Sequence, residues 1–160
     1  MATRASQFAQ NILPTRTISG AGNVFANDYF IDLTAAQVVL NDVIDLGVLP
    51  GYHTISDAIL IVDDLDSNGT PTIALDVGIM SGTPGDTVNA RTIGNELFAA
   101  DTTARAGGTA RMTKSAGFTI KPTELDRSIG VKIQAAAATA AAGRIRLRVW
   151  MHAADHTYQF

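Results

Sequence analysis

The densest set of side chains able to do chemistry is "DDLDSNGTPTIALD", where Asp63, Asp64, Asp66 and Asp76 surround an Asn-Gly pair. A calcium loop of the D-x-[DN]-x-[DN]-G type needs a carboxylate at its twelfth position, because that side chain gives the ion two oxygens at once. Asp64, Asp66, Asn68 and Gly69 match the first half, but the twelfth position is Leu75. The flanking segments also read as strands rather than helices. The stretch is therefore expected to be a tight hairpin turn built on Asn68-Gly69, two residues that accept positive φ cheaply, with Asp63, Asp64 and Asp66 as exposed acids at its tip.

Other chemical patterns are weaker. Asp64-Leu65-Asp66 matches the Asp-x-Asp that many glycosyltransferases use to hold a metal-nucleotide, but the parallel α/β setting of that motif is not suggested here. "SGAGNVF" has Gly20 and Gly22 but Phe25 in place of a third glycine, so no dinucleotide loop is expected. His152 and His156 lie four apart with Asp155 between them. No third metal ligand is identifiable, and the segment follows directly from a strand. The chain has no Cys nucleophile and no G-x-S-x-G elbow, so no catalytic residue, cofactor or metal site is assigned and an enzyme is not expected. Arg144, Arg146 and Arg148 project from one face of a strand as a basic stripe. Such a stripe either pairs with acids on the neighbouring strand or docks an acidic surface.

Positioning these groups falls to β-structure. Pro71, Ile73, Leu75, Val77 and Ile79 alternate with polar or small residues, the period of two that gives a strand one buried face. Each buried aliphatic contributes about 1.5–3 kcal/mol, and a one-residue slip would turn Asp76 inward, which fixes the register. Ile129, Val131 and Ile133 repeat the pattern, as do Ile145, Leu147 and Val149. The Ala-rich run between them, "AAAATAAAG", is too short for a stable isolated helix and is expected to form a hairpin. Further β-type runs are "TRTISG", "NDYFIDL", "AQVVL", "HTISDAILIVDD" and "AGFTIKP", with a short helical turn possible around "LTAAQVVLND". Two long loops, 81–95 and 102–117, have room for contacts, and no internal repeat is present. Residues 1–17 lack useful periodicity and are expected to be an extended N-terminal arm, leaving residues 18–160 as a single β-sandwich domain. Many short strands with Gly- and Pro-rich turns imply an all-β antiparallel sandwich or barrel.

A chain of 160 residues without cysteine must be held by packing, and at that size folding buries roughly 70% of the unfolded surface. No run of about 18 apolar residues and no signal-peptide pattern occurs, so a protein made in the cytoplasm and not bound to membrane is expected. The net charge of −3 is too mild to imply nucleic acid. It hides an asymmetry: residues 1–100 hold 11 acids and 3 bases, residues 101–160 hold 4 acids and 9 bases. Neutralisation within the fold is the expected use of that split.

"SDAILIVDDLDSNGTPTIALDVGIMSG" (56–82) followed by "IGVKIQAAAATAAAGRIRLRVWM" (129–151) resembles the decoration, or cement, proteins on the heads of tailed bacteriophages. The resemblance implies a jelly-roll-like β-sandwich on the outer surface of the virion capsid, clamping neighbouring major capsid proteins against packaged DNA. It implies self-association as a homotrimer in preference to a homodimer, without cofactor, membrane or direct nucleic-acid contact. Phe8, Ile12 and Leu13 of the arm and the Arg144, Arg146 and Arg148 face are then the expected capsid or inter-subunit contacts. The alternative is a carbohydrate-binding jelly-roll module of a phage tail or receptor-binding protein, disfavoured by a single Trp and three Tyr.

Overall fold

The computed structural model describes residues 1–13 and 23–154 as two packed antiparallel-dominated sheets. Strands β1 (Thr3–Ala5), β3 (Val43–Leu49), β5 (Ala74–Met80), β6 (Phe98–Asp101) and β8 (Arg127–Ala135) form one sheet in the order β1-β3-β8-β5-β6. Strands β2 (Val24–Leu33), β4 (His53–Val62), β7 (Gly108–Arg111) and β9 (Gly143–Ala153) form the other in the order β2-β9-β4-β7. Among the described residues, helical structure is limited to 3-10 turns at Ala35–Gln37 and Thr103–Arg105 and to the single turn α1 (Ser115–Phe118). The expected all-β sandwich is thus the observed architecture.

Alternation explains the core. Leu75, Val77, Ile129, Val131 and Ile133 from one sheet meet Leu60, Ile145, Leu147 and Val149 from the other, all with no solvent exposure. Tyr29 lies between the layers, its hydroxyl donating to Val48 O at 2.7 Å. Gly47 sits flat beneath it, where an added Cβ would come within 2.5 Å of the ring.

Several local expectations change. "AQVVL" is a 3-10 turn and connection, and the strand begins later, at Val43, where seven consecutive residues are buried. "AGFTIKP" opens with α1 and continues irregularly, while the expected loop 102–117 contains β7. Neither expected hairpin exists. β4 and β5 lie in different sheets, as do β8 and β9, so residues 63–73 and 136–142 are crossings from one layer to the other. Asn68 and Gly69 accordingly are not in the positive-φ region that a tight hairpin demands. "TRTISG" and the boundary at residue 17 lie outside the described residues.

The N-terminal segment is extended over Thr3–Ala5, but it is tied to its own domain. β1 pairs in parallel with β3, Ser6 N donates to Asp45 O at 2.7 Å, and Ala9 is fully buried. Arg4 pairs with Asp42 beside it.

Candidate functional site

The basic stripe is built by the pairing of β9 with β2. Their register sets Arg144 opposite Asp32, Arg146 opposite Phe30 and Arg148 opposite Asp28. Both flanking pairs are bidentate: Arg144 Nε and Nη2 donate to the Asp32 carboxylate at 2.7 and 2.8 Å, and Arg148 Nε and Nη2 to that of Asp28 at 2.9 Å each. The hydrogen bonds from Arg144, with its charge nearby, hold the Asp32 carboxyl below the ordinary carboxylate range. With Arg111–Asp57, these pairs join the acidic first part of the chain to the basic last part, as the charge asymmetry suggested.

Arg146 differs. Among the described residues it makes no ion pair, and its guanidinium lies 5.8 Å from the centroid of the Phe30 ring, with that of Arg144 at 4.7 Å. Phe30 in turn receives the N-terminal segment. Phe8 packs edge-on against both Tyr29 and Phe30, at 5.4 Å between centroids in each case, and so wraps from the inner to the outer face of β2. Leu13 lines the same shallow cleft as Phe8, Phe30 and Asp32. Phe8, Leu13, Arg144 and Arg146 therefore converge on Phe30, a residue the sequence did not single out. Ile12 is 64% exposed beside Leu13, and Arg148 lies two residues along β9 from the corner.

The acidic cluster holds the crossings together. Asp66 is buried, not an exposed acid at a hairpin tip. Its Oδ2 accepts the N–H groups of Thr72 (2.7 Å), Ile73 (3.2 Å) and Ala138 (2.9 Å), and its Oδ1 that of Thr139 (2.8 Å). Burial alone would push its carboxyl up, but these donations outweigh it and hold the group far below the carboxylate range. Asp64 accepts the Asp66 N–H, and Asp63 accepts that of Arg144. Among the described residues no group of three His, Asp or Glu side chains is arranged to hold a metal.

A second buried network has no counterpart in the sequence reading. Arg91 and Asp45, 1% and 0% exposed, pair at 2.5 Å, and Ser128 Oγ receives from Arg91 and donates to Asp45, both at 2.7 Å. Gly85 N–H also donates to Asp45 Oδ2, at 2.9 Å. The available signal was Asp45 itself, an acid inside the apolar run "VIDLGVL". His152 Nδ1 is 2.6 Å from Ser56 Oγ, while Asp155 and His156 lie outside the described residues.

No family model and no curated protein matches this chain significantly. Among solved structures, a chain from the capsid of Ralstonia phage GP4 is similar to it with a TM-score of 0.91 and 48% identity, over 96% of this chain and 99% of that one. A chain from the cyanophage Pam1 capsid asymmetric unit is similar with a TM-score of 0.66 and 28% identity, over 88% and 91% of the two chains.

Proposed function

This chain belongs to the family of phage capsid proteins represented in the Ralstonia phage GP4 capsid, and on that premise we propose that it is a decoration, or cement, protein of a phage head. It is a structural virion component. In this reading it binds the outer surface of the shell, clamps neighbouring major capsid proteins against the pressure of packaged DNA, and self-associates as a homotrimer. The observation that carries the proposal is the end-to-end likeness to a single capsid chain. The Phe30 corner supports it, since Ile12, next to Leu13 in the chain, is an exposed apolar group, and Arg146 over Phe30 makes no ion pair among the described residues. Arg144 and Arg148 contribute through their pairs, which keep the stripe ordered without leaving it strongly basic.

The test is reconstitution on purified heads lacking the protein. Wild-type protein should saturate discrete sites and raise the temperature at which heads release DNA, whereas Arg146→Glu and Ile12→Asp should lower occupancy at least about tenfold, the loss of roughly 1.4 kcal/mol of binding. Equal occupancy by both variants would remove the Phe30 corner from the interface. Saturating attachment with no gain in head stability would overturn the clamping role. Sedimentation of the purified protein tests the trimer.

A further inference from the structure

On the outer face of the four-stranded sheet, four residues along β9 from Arg146 and so roughly 13 Å away, a second cleft is lined by Val24, Ser56, Asp57, Ile59, Arg111 and Trp150. We propose that this cleft binds a pyranose sugar, with the Trp150 indole as its stacking platform. The inference is independent of the Phe30 corner.

The geometry of β4 carries it. Consecutive residues of a regular strand point to opposite faces, yet Ser56 and Asp57 both line this cleft. The cause is a break in register between Ile55 and Asp57 where β4 pairs with β9, a bulge that turns two adjacent polar side chains to the same side. Trp150, half-buried, stands between Asp57 on one neighbouring strand and Ala26 on the other, and Ala26 carries only a methyl on that flank.

Around the ring the polar groups are already oriented. Asp57 Oδ2 accepts from Arg111 Nη2 at 2.5 Å, and Asp57 Oδ1 accepts its neighbour's N–H. The Arg111 side chain is 72% exposed and uses one of its nitrogens in that pair, which leaves further N–H donors facing solvent. Ser56 Oγ is held by His152 Nδ1. A pyranose matches this set: its C–H face covers the indole while its hydroxyls donate to the carboxylate and accept from the guanidinium. Because Arg111 neutralises Asp57, a neutral sugar fits better than a cation.

Trp150 is the only tryptophan in the chain, so its emission reports the cleft directly. The full chain is titrated with D-glucose, D-galactose and N-acetyl-D-glucosamine, and saturation-transfer NMR is recorded in parallel. At least one sugar should shift the emission with half-saturation on the order of 1 mM. Arg111→Ala should weaken that binding about tenfold at unchanged Tm, Trp150→Phe should weaken the NMR transfer, and Arg146→Glu should change neither. Absence of both signals for all three sugars would overturn the proposal, as would binding retained in Arg111→Ala and Trp150→Phe. Loss of head attachment by Arg111→Ala without any sugar signal would make the cleft a protein contact and likewise overturn it.

Discussion

Aspartates on the outer face of the four-stranded sheet and aspartates beneath the surface are put to opposite uses. Asp28 and Asp32 each meet one arginine in water, 41% and 65% exposed, where solvent screens the pair and both side chains are costly to order. Asp45 and Asp66 are buried, accept several donors each and join segments far apart in the chain. Exposed pairs shape what a partner meets, while buried carboxylates decide which connections the sandwich has.

The contrast can be broken most severely at Arg91. Arg91→Leu leaves Asp45 buried without its counter-ion and should cost about 3–5 kcal/mol in chemical denaturation. A cost under about 1 kcal/mol would mean that Asp45 is relieved by other means. Asp66→Asn comes next. It keeps one acceptor oxygen but sets an amide against a backbone N–H, and should lower Tm by about 5 °C. Acid titration sharpens the point. Asp66 and Asp32 have carboxyl groups lowered by folding, so their stabilisation is complete above the unfolded value near 4 and is lost as pH falls through the lower folded values. Tm should therefore be flat from neutrality to about pH 4 and fall below it, with a smaller fall in Asp66→Asn. Arg144→Ala and Arg148→Ala should each shift Tm by no more than about 2 °C. Arg146→Ala should shift it least of all, while still lowering occupancy on heads.

Much of this fold was legible. The alternating runs of β5, β8 and β9 placed Leu75, Val77, Ile129, Val131, Ile133, Ile145, Leu147 and Val149 on the core face, because a period of two with one apolar face has few other solutions, while Ile79, expected with them, is only partly buried. Sheet membership was not legible. Asn, Gly and Ala suit a hairpin and a layer crossing alike, and which forms depends on whether the next strand pairs with the last or faces it. Asp66 was misplaced for the same reason, since its four donors come from Thr72, Ile73, Ala138 and Thr139, and the last two lie more than seventy residues away. Strand β3 was missed because its burial on both faces erases alternation, leaving Asp45 as its one flag. At the candidate site, the Arg stripe and Phe8 could be read from residue type, but their meeting at Phe30 needed the register of β2 on β9.

The strand order also governs when the sheet can form during synthesis. β9 is the last described strand to leave the ribosome, yet it lies between β2 and β4, which in the folded sheet are joined only through it. For most of translation, two ten-residue strands hold their β9-facing edges open. The four-stranded sheet thus closes only once residues through Ala153 have been made, a late long-range pairing before which unpaired strand edges are open to other chains. A truncation that removes β9 would forfeit the sheet rather than trim it.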